Sequence, residues 1–284
     1  MFSHGRRVVD VVHVIRTGPF AQVDTRYVGN VAIEWGSDTD QAAWWTNRLH
    51  PFAQDVGSLV PDTFDAYARI FHPVDSEPTL RWSDIALLTG RVVHPEMQFD
   101  PITKMADGTG PLSIGPPPEG TLTRAGLQNL ARILAEHTST PQSCWFAIWD
   151  GYGQLHGGES AVTTMFLHEQ WSDVVSVTHE QSAPLLDEFT LDGPRVRVPG
   201  REYYLASGAL SDVDDFYVQV GRQSPNVWWP TDRSWIVATE IDFTWTYLAG
   251  DRATIDAVLN DPDIEALETR TDHAVTFDGD SVNS

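Results

Sequence analysis

Glu240 and Asp242 stand two residues apart in the stretch PNVWWPTDRSWIVATEIDFTWTYLAG, residues 225–250. On a β-strand that spacing puts both carboxylates on one face, roughly 6–7 Å apart along the backbone. Two carboxylates so placed can act as general acid and general base at a glycosidic bond. They can also ligate Ca²⁺ or Mg²⁺ through oxygen. The bland possibility is a solvated face, or ion pairs with some of the 17 arginines, since structural pairs of that kind are common. Glu240 and Asp242 are therefore the catalytic candidates, and the enzyme they would serve is a hydrolase or a metal-assisted enzyme.

The same stretch holds four of the 11 tryptophans. Trp228 and Trp229 precede Pro230, and exposed aromatics beside a proline can form a recognition platform. The burial habit of tryptophan makes them equally good loop anchors. Asp232 and Arg233 follow and can pair locally, which contributes little at a surface. Trp228, Trp229, Asp232 and Arg233 are the binding candidates. A small-molecule pocket between the Trp228–Trp229 loop and the 94–120 loop is a further expectation. Beyond Trp229, strand alternation predicts Trp235, Val237, Ile241, Phe243 and Trp245 on one sheet face, with Glu240 and Asp242 on the other.

Other chemistry is thinly represented. A single cysteine, Cys144, excludes an intramolecular disulfide and a Cys-rich zinc site. It opens an apolar segment and reads as an inert core residue. His156, His168 and His179 lack metal-ligand spacing, so no metal or cofactor is expected. The Gly-rich GYGQLHGG at 151–158 lacks a P-loop lysine, and no GxSxG elbow occurs.

The elements that must position these residues alternate between types. RVVDVVHVI and VGNVAIEWGS read as N-terminal strands. In VPDTFDAYARIFHP, Phe64, Tyr67, Ala68 and Phe71 fall at helical spacing, which predicts a helix. SDIALLTG predicts a short helix capped by Ser83 and ended by Gly90. Residues 94–120 are rich in Pro and Gly and predict a long flap or a subdomain boundary. TRAGLQNLARILAEHT predicts a helix with Leu127, Leu130, Ala131 and Leu134 on its apolar stripe. CWFAIW and REYYLASG predict strands, ALSDVDDFYVQVG a helix, and DRATIDAVLNDPDIEALE a helix interrupted at Pro262. Residues 153–200 show no clear pattern. The fold expected is a single α+β domain over 1–273, with a mixed or antiparallel sheet and flanking helices, followed by a disordered tail, 274–284.

With 18 basic and 40 acidic residues the formal net charge is −22. Such a field repels nucleic acid and anionic membrane and attracts basic partners. Arg6-Arg7 is followed by a charged stretch rather than an apolar signal core, and no apolar run is long enough to span a membrane. A cytoplasmic protein is expected.

Several stretches taken together, VPDTFDAYARIFHP, HPEMQFD, CWFAIWDGYG, REYYLASG and the 225–250 segment, resemble a family of uncharacterised proteins from high-GC actinobacteria. The likeness covers roughly residues 55–270 and carries no activity with it. The order of a VP…F…YARI segment, FAIWDGYGQL and a late strand pair and helix is similar to SUKH-type immunity and adaptor proteins. That resemblance implies an α+β binding module that covers a toxin domain; the long middle segment and the Trp-rich end depart from its pattern. The function expected is a non-enzymatic acidic module that docks a basic protein partner, and the alternative is the enzyme built on Glu240 and Asp242.

Overall fold

The computed structural model describes residues 33–36, 38–52, 54–76, 79–168 and 171–283, with the side chains of 159–181 outside that description. RVVDVVHVI and the start of VGNVAIEWGS therefore lie outside the described residues. The chain enters at β1 (Glu34–Gly36), then a 3₁₀ turn leads into α1 (Ala43–Thr46). Strand β2 (Ala66–Phe71) is followed by three helices, α2 (Trp82–Thr89), α3 (Phe99–Thr103) and α4 (Arg124–Ala135). Next come β3 (Cys144–Trp149), α5 (Gly153–His156), β4 (Gly158–His168) and β5 (Trp171–Ser182). After α6 (Glu188–Asp192) and β6 (Val196–Val198), β7 (Arg201–Gly208) runs to a 3₁₀ turn that opens α7 (Val213–Gln219). The C-terminal part forms β8 (Val227–Pro230), β9 (Trp235–Ala238), β10 (Trp245–Gly250), α8 (Arg252–Leu259) and β11 (Ala266–Thr269).

Nine strands form one antiparallel sheet in the order β1-β7-β3-β8-β9-β10-β2-β11, with β6 also paired to β7. Strands β4 and β5 form a separate two-stranded hairpin. The fold is α+β. Both faces of the large sheet are covered by helices. One face packs Phe146, Trp228, Trp235, Val237 and Leu248 against α4, α7 and α8. The other packs Trp229, Ile236, Trp245 and Tyr247 against α1, α2 and α3.

That double coverage explains the main correction. VPDTFDAYARIFHP does not form a helix; Ala66–Phe71 is the strand between β10 and β11, and all six residues are buried. A strand buried on both faces loses its polar–apolar alternation, and its apolar residues then match helical spacing by default. The helix read through 251–268 likewise stops at Leu259, and Ala266–Thr269 returns as a strand. TRAGLQNLARILAEHT keeps its predicted stripe, with Thr123 accepting from the Gly126 N–H at 3.1 Å. Helix α2 ends at Gly90 in the left-handed region, φ 72°, as its sequence predicts. Its N-terminus is held by Glu265, which accepts from the Trp82 and Ser83 N–H groups, both at 2.7 Å.

The expected tail is also corrected. Residues 274–283 are packed, with Val275, Asp280 and Asn283 buried. Asp280 accepts from His94 Nε2 at 2.8 Å and the Gln98 N–H at 3.0 Å, while Asn283 bonds both backbone groups of Val92. A carboxylate satisfied from two directions anchors a terminal segment that composition alone would leave loose.

Candidate functional site

The 225–250 segment is three strands rather than one. β9 ends at Ala238, a turn carries Glu240 and Asp242, and β10 begins at Trp245. The hairpin pairs Ala238 with Tyr247 and Val237 with Leu248. Paired residues share a face, so odd positions of β9 face the same side as even positions of β10. The predicted aromatic wall is therefore split: Trp235 and Val237 lie on one face, Trp245 and Tyr247 on the other. Phe243 is half-buried and stacks on Trp245 at 4.3 Å.

This turn sits at the end of the sheet where β3 stops and β7 starts. Arg201, the first residue of β7, reaches across it. Its Nε donates to Glu240 Oε1 at 2.9 Å, and its Nη2 donates to the same oxygen and to Asp242 Oδ2, the latter at 3.3 Å. The guanidinium also lies 4.9 Å from the Phe52 ring and 5.7 Å from Trp149. The two acids are in unlike environments: the Glu240 side chain is 5% exposed, that of Asp242 73%. Burial holds the Glu240 carboxyl above the usual glutamate range against the pull of Arg201, and the Asp242 charge adds to the rise.

A third carboxylate joins them from the 94–120 loop. The Gly120 N–H donates to the Phe243 carbonyl at 2.8 Å. A Cβ on Gly120 would meet the Ile241 carbonyl oxygen at 2.5 Å, and its φ is 68°, so only glycine lets the loop lie this close. Glu119 is thereby brought beside the turn, where partial burial and the Asp242 charge raise its pKa. The loop is docked here rather than free as a flap.

Beneath the acids lies a neutral network. Asn226 ties the ends of β3, β8 and β9: its Oδ1 accepts from the Trp149 N–H at 2.9 Å, and its Nδ2 donates to the Thr239 carbonyl at 3.1 Å and the Tyr152 hydroxyl at 3.2 Å. Gln223 donates to the same hydroxyl at 2.9 Å. Burial pushes the Tyr152 pKa up to about 12. Thr239 and Thr246 share a hydrogen bond of 2.7 Å, and Thr246 meets Nε2 of the fully buried His72 at 2.9 Å. His72 Nδ1 faces the Pro118 carbonyl at 3.0 Å. Arg201, Asn226, Thr239 and Glu240 line a void of about 20 Å³, room for one water rather than a substrate.

The remaining candidates are placed elsewhere. Trp228 and Trp229 are not an exposed platform; both are buried, on opposite faces. Trp228 meets Trp235 edge-on at 5.3 Å, and Trp229 meets Trp45 at 5.7 Å. Neither offers an exposed face to the pocket expected between them and the 94–120 loop. Asp232 and Arg233 do not pair. Asp232 accepts from Thr138, Ser139 and the Ser234 N–H; partial burial opposes its ionisation, but these bonds outweigh it and hold its pKa at about 2. Arg233 is exposed with its guanidinium 5.6 Å from the Trp44 ring. Cys144 is buried, and burial pushes its thiol up to about 12. His156 bonds the Asp150 carbonyl, while His168 and His179 lie on the β4–β5 hairpin, outside the described side chains. Among the described residues, no three His, Cys, Asp or Glu side chains are arranged to hold a metal. No helix of the described residues is long and apolar enough to cross a membrane.

No family model, no curated protein and no solved structure matches this chain.

Sequence reasoning found Glu240 and Asp242 but missed Arg201, Asn226, Tyr152 and Glu119. The available signals were small: an arginine opening the strand-like REYYLASG, and a tyrosine inside the turn DGYG. Together the residues make an acidic rim over an occupied ion pair. Glu240 is engaged by Arg201, and the void beside it holds about 20 Å³.

Proposed function

We propose that this protein is a non-enzymatic binding module that docks a basic protein partner at the end of its sheet, with Asp242 and Glu119 presenting the charge. One observation carries the reading: Glu240 is buried and bonded to Arg201, while Asp242 beside it stands 73% exposed. A net charge of −22 supports it by drawing cationic surfaces toward the molecule. This is the kind of role that the resemblance to SUKH-type immunity and adaptor proteins implies, and we place the protein in the cytoplasm on the same reading. The experiment is association with nona-arginine, with nona-glutamate as the matched control. Binding to nona-arginine alone, weakening steeply toward about 1 M salt where the screening length is about 3 Å, supports the reading. Equal affinity for both peptides, or binding insensitive to salt, contradicts it.

A further inference from the structure

A second surface, distinct from the acidic rim, forms a cleft. A cleft of about 900 Å³ opens between the end of β2, the first turn of α4 and the turn before β11. Its volume suits a small organic molecule, for which pockets run to about 300–1,000 Å³. Pro73, Pro118 and Ala125 offer it apolar surface above the buried Val74, Leu122 and Leu130.

Five charged side chains also line the cleft: Arg81, Arg132, Asp75, Asp263 and Glu265. Three of them are engaged by the protein. Arg81 Nη2 donates to the Pro262 carbonyl. Arg132 Nη2 donates to Asp261 Oδ2 at 3.1 Å and to Asn129 Oδ1 at 2.8 Å. Glu265 caps the start of α2 through two bonds of 2.7 Å. Thr123 likewise caps the Gly126 N–H in the wall formed by α4. Asp75 and Asp263 have no cationic or side-chain hydrogen-bonding partner among the described residues. Arg132 is paired with Asp261, and Arg81 meets only a neutral carbonyl, so among the described residues three carboxylates face one guanidinium without an acid partner and the excess charge in the cleft is negative.

We propose that this cleft binds an organic cation with an apolar body, its ammonium group answering Asp75 and Asp263 and its alkyl or aryl part lying on Pro73, Pro118 and Ala125. Asp75 and Asp263 stand exposed at the mouth of the cleft, where carboxylates without a cation of their own attract an amine and repel an acid, most strongly at low salt. The inference does not depend on the acidic rim at Asp242, so either reading can fail alone.

The test uses the full chain and two probes of matched shape and opposite charge, 4-phenylbutylamine and 4-phenylbutyrate, followed by calorimetry or ligand-observed NMR. Three variants accompany the native chain. Ala125→Trp fills the cleft from an exposed helical position. Asp75→Asn with Asp263→Asn removes the two charges. Asp38→Asn with Asp40→Asn makes the same charge change away from the cleft. Saturable binding of the amine is expected, with the carboxylate at least about tenfold weaker. Ala125→Trp should abolish amine binding, and the Asp75/Asp263 pair should weaken it about tenfold, while the Asp38/Asp40 pair leaves it unchanged. Circular dichroism confirms that each variant is folded. Equal or tighter binding of the carboxylate overturns the proposal, as does amine binding that survives Ala125→Trp or the absence of saturable binding by either probe.

Discussion

Arg69 and Arg201 point to the same face of the sheet and are held in opposite ways. Arg69, in the middle of β2, is fully buried, with its guanidinium 3.9 Å from the Trp245 ring and 4.9 Å from that of Phe71. It makes one hydrogen bond, to the Pro95 carbonyl at 2.6 Å, and its Nε and Nη2 have no acceptor. Burial lowers its pKa to about 10, which leaves it charged at neutral pH. Arg201, at the start of β7, instead grips a carboxylate and touches the solvent-facing Asp242. Deep in the sheet the cation is held by aromatic faces and serves packing; at the sheet's end it orders acids, one of which remains exposed to solvent. The difference separates a core role from a rim role on one surface, and substitutions at the two positions can break it.

The largest effect is expected at the core arginine. Arg69→Ala should cost about 3–5 kcal/mol through the cavity it leaves. Arg69→Met keeps the volume and removes a charge with two unsatisfied donors, so it should cost less than about 1 kcal/mol or stabilise. Chemical denaturation of both decides it; a methionine variant as damaged as the alanine one would show that the charge itself matters. At the sheet's end, Arg201→Met should cost about 3 kcal/mol, because it leaves Glu240 buried without its partner. A stability equal to native would mean that Glu240 is solvated instead.

His72 gives a comparable effect through pH. Burial outweighs its bond to Pro118 and lowers its pKa from 6.5 to about 4. The folded state thus holds the neutral form, and the unfolded chain takes up a proton first as pH falls. Stability from this group is complete above about 6.5 and declines toward pH 4, by about 3 kcal/mol in all. Denaturation of the native chain and of His72→Gln across that window should show the native chain losing more, by about that amount. Parallel curves would place the imidazole in contact with water. The smallest effect belongs to the exposed rim: Asp242→Asn should shift stability by no more than about 0.5 kcal/mol.

How much of this was legible in sequence follows from the same distinction. The stripe of α4 was readable because one periodicity dominated it, while the strands CWFAIW and REYYLASG, covered on both faces, came through as short apolar and aromatic runs bounded by turn residues. β2 did not, because with no alternation to decide between them Phe64, Tyr67, Ala68 and Phe71 also fall at helical spacing. The split of Trp235 from Trp245 was hidden as well, because the turn between β9 and β10 sets the parity of the register and no glycine or proline marks it. Glu240 and Asp242 were visible as a pair, but their separation into buried and exposed acids depends on Arg201, 39 residues before Glu240. Contacts at that range leave no local pattern. Glu119 was invisible for the same reason, since Gly120 only gains its meaning against the backbone of Ile241.

The central claim is that Glu240 maintains the fold while Asp242 and Glu119 present charge. Its most direct test is a paired measurement on Glu240→Gln and on Asp242→Asn with Glu119→Gln: stability by denaturation, and the association rate for nona-arginine at low salt. We expect Glu240→Gln to lose about 1–3 kcal/mol of stability and keep its association rate. The rim pair should keep its stability and associate several-fold more slowly, with the difference vanishing at high salt. A Glu240→Gln protein of native stability that no longer binds would contradict the account.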